Sequence, residues 1–186
     1  MVDPKIVNLV ALGHLEREID LEALKQDMAL PVKYITGGGL YLRFEEDDPT
    51  ITIARSGKYF ITGANNWNEL YGTKEKILTR LTNMGVIDEP VDESFSLKNM
   101  VCTNDFKIDI DLSALALFIG LESTEYEPEQ FPGLIYRSGD HSGVALIFAS
   151  GKIVTTGIDS FKESADLHKH VLEVIKRYHQ SSPKRS

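Results

Sequence analysis

Val144-Ala145-Leu146-Ile147-Phe148-Ala149-Ser150-Gly151-Lys152-Ile153-Val154-Thr155-Thr156-Gly157 is the stretch that decides how this chain folds. It reads as two strand segments around a small-residue centre. Successive strand side chains point to opposite faces, so parity sorts them. One parity holds Ala145, Ile147, Ile153 and Thr155, a core row. The other holds Val144, Leu146, Phe148, Ser150, Lys152, Val154 and Thr156. A solvated face carries more charge than this second row, so it reads as a binding surface.

A degraded copy, Ile51 to Gly63, lies earlier in the chain. Gly39-Leu40-Tyr41-Leu42-Arg43 and Gly133-Leu134-Ile135-Tyr136-Arg137 stand 94 residues apart, as do Ser56-Gly57-Lys58 and Ser150-Gly151-Lys152. Thr62-Gly63 and Thr156-Gly157 keep that offset, and so do Trp67 and Phe161, Ile77-Leu78 and Val171-Leu172, and Leu81 and Ile175. Nearer the front the offset is 91, pairing Asn8 with Asn99, Val10 with Val101, Asp20-Leu21 with Asp111-Leu112, and Leu24 with Leu115. The change places a three-residue indel between about Ala29 and Gly39. Constant offsets across strands and helices mark an internal repeat. The expected organisation is a first repeat over 5–86, an acidic linker over 87–95, a second repeat over 96–180 and a polar tail over 181–186.

In the first repeat the pattern predicts a β-branched strand from Lys5 to Ala11, then a helix capped by Asp20 that buries Leu21, Leu24 and Met28. Pro31 closes that region, and Gly37-Gly38-Gly39 reads as a turn or flexible loop. A strand from Leu40 to Phe44, an acidic hairpin loop over Glu45 to Pro49, and strands at Ile51–Ile53 and Tyr59–Ile61 follow. Gly57 marks a bulge or sharp bend between the last two. A helix from Asn65 to Met84 turns Trp67, Leu70, Ile77, Leu78 and Leu81 to the core. The second repeat replays this order: a strand over Leu97–Thr103, a helix from Asp111 through Phe118, and a loop tip at Pro128–Pro132. Strands over Leu134–Arg137 and Val144–Thr156 and a long helix over Ser160–Tyr178 complete it. The class is α+β, with helices on one sheet face.

Composition narrows the function. The 186 residues are 42% hydrophobic, enough for a sizeable core, with no apolar run long enough to span a membrane. Met1 to Lys5 lacks a signal-peptide pattern, and Cys102, on the core side by parity, is the only cysteine. A soluble cytoplasmic protein is expected. The net charge of −8 argues against a phosphate clamp, but much of the acid sits in Glu45–Asp48 and Asp88–Glu93. Gly37–Gly39 lacks the Lys-Ser/Thr ending of a phosphate loop. His168 and His170 splay apart at i, i+2 on a helix, so no metal is expected. Asp105, Asp109 and Asp111 read as a cap and solvated loop residues. With no catalytic constellation, an enzyme on an unrelated α+β scaffold has little support, and no cofactor is expected.

Leu97-Lys98-Asn99-Met100-Val101, Tyr126-Glu127-Pro128-Glu129-Gln130-Phe131-Pro132-Gly133-Leu134-Ile135-Tyr136-Arg137 and the opening stretch together resemble the TATA-binding protein family. The match is specific across the second repeat and weaker but continuous across the first. It implies an archaeal-type member: two pseudo-symmetric halves forming one saddle-shaped, curved antiparallel sheet, helices convex, DNA on the concave side. The family is itself the well-known example of minor-groove kinking, so that mechanism comes from the resemblance.

The resemblance also implies roles. Asn8 and Asn99 match asparagines at the centre of the bound site, where an amide donates to minor-groove A N3 and T O2. Thr62 and Thr156 match nearby threonines. Val10, Val101 and Val154 match apolar contacts to sugars and base edges, with Leu146 on the same face. Arg43, Lys58, Arg137 and Lys152 match basic positions at or near phosphates. Phe131 and Phe148 match a wedge that opens a base step. Glu127, Glu129 and Gln130 match the contact region for transcription factor B. The implied partners are double-stranded A·T-rich promoter DNA, transcription factor B and the RNA polymerase pre-initiation complex.

The first repeat departs from this pattern. Its wedge positions are Gly37 and Ala54, Thr52 replaces the counterpart of Leu146, and Phe60 replaces that of Val154. Phe60 shares the binding-face parity. Two functions follow: an initiation factor that kinks promoter DNA, or a divergent paralogue with weak or altered DNA binding that regulates through protein partners.

Overall fold

A computed structural model of the chain describes residues 3–35, 38–90 and 92–181. The backbone divides into two compact units: Val7–Asn99, and Met100 onward together with the residues before Val7.

The first unit contains β1 (Lys5–His14, entering from the other unit), α1 (Leu21–Asp27), β2 (Val32–Ile35), β3 (Gly39–Leu42), β4 (Thr50–Ala54), β5 (Lys58–Ala64) and α2 (Trp67–Asn83). Its sheet runs β2-β3-β4-β5-β1, antiparallel throughout. Alternation buries Leu40, Leu42, Ile51, Ile53, Tyr59 and Ile61, and α2 adds Leu70, Ile77, Leu78 and Leu81 to the core. Asp20 caps α1 by accepting from the Glu22 and Ala23 N–H groups. Asn66 caps α2 by accepting from Glu69 N at 2.9 Å, and Glu69 reaches back to Asn65 N at 3.0 Å.

The second unit contains β6 (Ser96–Asp105, entering from the first), α3 (Leu112–Ile119), β7 (Thr124–Glu125), β8 (Leu134–Tyr136), β9 (Val144–Ile147), β10 (Lys152–Ile158) and α4 (Phe161–Ser181). The order is β6-β10-β9-β8-β7, again antiparallel. Ala145, Ile147, Ile153 and Thr155 are fully buried, as their parity requires, and Cys102 is buried with them.

The repeat extends to individual hydrogen bonds. Leu15 N donates to Gly57 O at 2.9 Å, and Phe106 N to Gly151 O at 3.1 Å. Ile19 N donates to Arg55 O at 2.8 Å, and Ile110 N to Ala149 O at 2.9 Å. Gly57 and Gly151 have φ of +84° and +85°. A Cβ at Gly57 would strike the Arg17 carbonyl, and one at Gly151 the Ile108 backbone. Glycine is therefore required twice over at each turn.

Several expectations change. β2 and β7 were not foreseen. Pro31 does not end the structured region but precedes an edge strand, a position where its missing N–H is harmless. β7 has two residues, too short for alternation to reveal. Trp67 does not face the core: it is 38% exposed and stacks on Tyr71, one turn on, at 6.2 Å between ring centroids. Periodicity fixes a helix's apolar face but not how far along the helix the sheet extends. The predicted strands to Phe44 and Arg137 end at Leu42 and Tyr136, and the last helix continues past Tyr178 to Ser181.

The acidic segment after α2 is partly built into the first unit. Asp92 is only 8% exposed. It accepts from Tyr59 Oη at 2.7 Å, Ser94 Oγ at 2.5 Å, Ser94 N at 2.8 Å and His14 N at 3.2 Å. Phe95 stacks on Tyr59 at 6.0 Å, and Lys74 Nζ lies 4.6 Å from the Phe95 ring centre while donating to Asp92 O. Burial alone would raise the Asp92 pKa. Donation by Ser94, Tyr59 and the His14 N–H outweighs it, and the carboxyl titrates below its ordinary 3.8. Because the folded pKa is the depressed one, the stabilisation is present above 3.8 and is lost as pH falls through the folded value. Asp92→Asn is expected to lower unfolding free energy at pH 7 by roughly 2 kcal/mol. It should also flatten the acid limb of a stability profile followed by circular dichroism. An acid limb as steep as in the parent protein would contradict this account of Asp92.

Candidate nucleic-acid interface

Cross-strand register assembles the face opposite the helices. In the second unit Ile135, Leu146, Val154 and Thr103 lie side by side across β8, β9, β10 and β6. In the first unit the matching row is Tyr41, Thr52, Phe60 and Leu12 across β3, β4, β5 and β1. All eight are partly or fully exposed, whereas their strand neighbours Leu40, Leu42, Ile51, Ile53, Ile61, Ile147, Ile153 and Thr155 are fully buried. Phe60 is 39% exposed. The expected parity of Leu146, Val154 and Phe60 therefore holds. Leu12, Tyr41, Thr103 and Ile135 join them unforeseen, although the 94- and 91-residue offsets already related Tyr41 to Ile135 and Leu12 to Thr103.

Phe131 and Phe148 come together at one end of the second-unit face. Their ring centroids are 5.8 Å apart and the planes meet at 67°. Both are only partly buried. Phe148 stands at the start of the β9–β10 turn: its N donates to Lys152 O at 2.9 Å, and its O accepts from Gly151 N at 2.9 Å. Phe131 is set by a turn in which Glu127 O accepts from Gln130 N and Phe131 N, each at 2.9 Å. Glu127, Glu129 and Gln130 are exposed on that turn, with Gln130 Nε2 donating to Glu127 Oε2 at 2.6 Å. Gly133 lies beneath the rings, and a Cβ there would come within 2.7 Å of Phe131 and 3.2 Å of Phe148.

The polar positions are differently held. Asn8 Oδ1 accepts from Gly63 N at 2.8 Å. This fixes the amide orientation and leaves its NH2 as the group not engaged with Gly63. Val10 pairs with Thr62 across β1 and β5. Asn99, Val101 and Thr156 lie partly exposed on β6 and β10. Lys58 and Lys152 open β5 and β10 and are exposed. Arg43 is tied down: Nε donates to Thr50 Oγ1 at 2.8 Å, Nη1 to Glu46 O at 2.9 Å, and its guanidinium lies 5.7 Å from the Tyr41 ring centre. Arg137 is ion-paired to Glu125 at 2.5 Å.

The first unit does not reproduce the aromatic pair. Ala54 faces Gly39 across β3 and β4 and brings no ring. Gly37, the other expected position, lies outside the described residues. Among the described residues no group of three His, Cys, Asp or Glu side chains is placed to hold a metal, and no helix is long and apolar enough to cross a membrane.

The model of the family described as "Transcription factor TFIID (or TATA-binding protein, TBP)" matches residues 3–84 and 94–178. The chain belongs to the TATA-binding protein family. Its members are transcription factors, not enzymes. TATA-box-binding protein C of Halobacterium salinarum is 45% identical over 156 residues, covering 82% of this chain and 86% of that protein. The TATA-box-binding protein of Methanocaldococcus jannaschii is 39% identical over 92% of this chain and 93% of its own length. The solved structure titled "Methanococcus jannaschii TBP" superposes with a TM-score of 0.82 at 39% identity, over 95% of this chain and 99% of that one. The α+β fold is thus that of an archaeal TATA-binding protein.

Within this family frame, Gly133→Ala should push Phe131 and Phe148 apart without disturbing the core beneath. The expected result is an unchanged melting temperature with altered near-ultraviolet circular dichroism from the ring pair. A large drop in melting temperature would show that Gly133 is needed for folding rather than for the pair.

Proposed function

We propose that the protein is a general transcription initiation factor that binds A·T-rich promoter DNA in the minor groove. Phe131 and Phe148 wedge into a base step and kink the duplex. Unstacking costs roughly a few kcal/mol, offset by the larger contact that bent DNA allows. Asn8, Asn99, Thr62 and Thr156 meet minor-groove acceptors; Val10, Val101, Leu146 and Val154 pack on sugars and base edges, where a guanine amino group fits badly. Lys58, Lys152, Arg43 and Arg137 lie at or near the phosphates, the two arginines after giving up their present partners. Glu127, Glu129 and Gln130 recruit transcription factor B, and through it the RNA polymerase pre-initiation complex, in the cytoplasm at the nucleoid. The observation that carries this reading is the Phe131–Phe148 pair, held at the end of an apolar sheet face.

A second reading, a divergent paralogue with altered DNA binding that works through protein partners, is favoured by the first unit. There Ala54 supplies no wedge, and Thr52 with Phe60 replaces an aliphatic pair. Bending and affinity measured on an A·T-rich duplex, with and without transcription factor B, separate the two. Phe148→Ala is expected to remove most of the bend, and Ala54→Phe to increase it. No binding even with the partner present would exclude the initiation-factor reading; an unchanged bend in Phe148→Ala would exclude the wedge. In parallel, Glu127→Arg with Glu129→Arg should weaken transcription factor B recruitment at least tenfold while leaving binary DNA affinity equal or higher. Unimpaired recruitment would remove this loop from the partner contact.

A further inference from the structure

α3 carries an apolar surface that neither the core nor the DNA reading uses. Leu112, Leu115 and Ala116 face the core. Leu117 is 71% exposed, Phe118 44% and Leu121 69%. Phe118 and the backbone of the exit turn are held in place. Phe118 meets Tyr178 of α4 edge-on at 5.7 Å. Gly120 ends the helix at φ +114°, its N donating to Ala116 O at 3.0 Å and its O accepting from Thr124 Oγ1 at 2.9 Å. A ring positioned in this way loses little entropy on binding.

The fold does not require this surface. At the 91-residue offset the first unit has Gln26, Asp27 and Leu30 in place of Leu117, Phe118 and Leu121. Both units bury the preceding core positions, Leu21 with Leu112 and Leu24 with Leu115. Leu30 is half-buried, and only the second unit exposes large apolar side chains at all three positions.

Charge selects the occupant. From Ile108 to Tyr136 there is no Lys or Arg, while Asp109, Asp111, Glu122, Glu127 and Glu129 lie in that span; its sixth acid, Glu125, is paired with Arg137. A nucleic acid would meet carboxylates there. A second copy would set the same carboxylates against each other, on a chain of net charge −8. A short amphipathic helix with an apolar stripe flanked by Lys and Arg satisfies both the leucines and the acids. We propose that α3 and its exit turn, centred on Leu117, Phe118 and Leu121, form a docking surface for a basic amphipathic helix of a protein partner, separate from the DNA face.

Two designed helical peptides test this. Both carry Leu at i, i+3, i+4 and i+7; one has Lys and Arg at the flanking positions and the other Glu. Each is titrated into the 15N-labelled full chain. The basic peptide is expected to bind and to shift the amides of 117–122. Leu117→Gln with Leu121→Gln should weaken that binding about tenfold or more and leave the circular dichroism spectrum and affinity for A·T-rich DNA unchanged. Equal binding of the acidic peptide, shifts confined to other surfaces, or no binding would overturn the proposal. So would a dimer in sedimentation analysis that the double variant dissolves, because the surface would then belong to a second copy.

Discussion

Two glycine turns, at Gly57 and Gly151, set the register on which the rest depends. Each packs so closely on the chain leaving the unit's first strand that a side chain would collide with backbone. Leu15 N and Phe106 N tie that strand's exit to the turn. Pairing is thereby fixed between β4 and β5 and between β9 and β10. In a strand pair a one-residue slip would exchange every inward side chain for an outward one. Fixing the turn therefore places Ile51, Ile61, Ile147 and Ile153 under the helices, and Thr52, Phe60, Leu146 and Val154 on the open face. Core and interface come from a single constraint.

The same frame carries different chemistry in its two copies. Thr155, Ser164 and His168 form a buried polar group in the second unit, with Thr155 Oγ1 and Ser164 Oγ 2.7 Å apart and His168 Nδ1 2.9 Å from Ser164 O. Burial lowers the His168 pKa and keeps the ring neutral. The first unit has Ile61 and Leu70 at the first two positions and Lys74, whose Nζ donates to Asp92 O, at the third. On the open face the exchange runs differently: aliphatic Ile135, Leu146 and Val154 against Tyr41, Thr52 and Phe60. Both copies keep the glycine turn and the register, while the side chains they present differ.

Much of this was legible in the sequence because the repeat doubles each signal. The Asp20 and Asp111 caps, the buried parity of Ile147 and Ile153, and the partial exposure of Phe148 follow from offset and alternation alone. The proximity of Phe131 to Phe148 came only from family resemblance, since nothing local relates a loop residue to a turn residue 17 positions on. Short edge strands were invisible because two to four residues cannot display a period. Trp67 was misplaced because helical phase says nothing about where the covering sheet ends. The burial of Asp92 was hidden by its acidic neighbours: composition marks a solvated segment, and only three-dimensional packing against Tyr59 and His14 identifies the residue that turns inward.

The asymmetry of the wedge is the central claim, and base-step unstacking reads it most directly. 2-Aminopurine placed in turn at each position of an A·T-rich duplex brightens where stacking is lost. With the protein and transcription factor B bound, one strongly unstacked step, at the end of the site held by Phe131 and Phe148, is the predicted result. Two equally unstacked steps, or none, would contradict it.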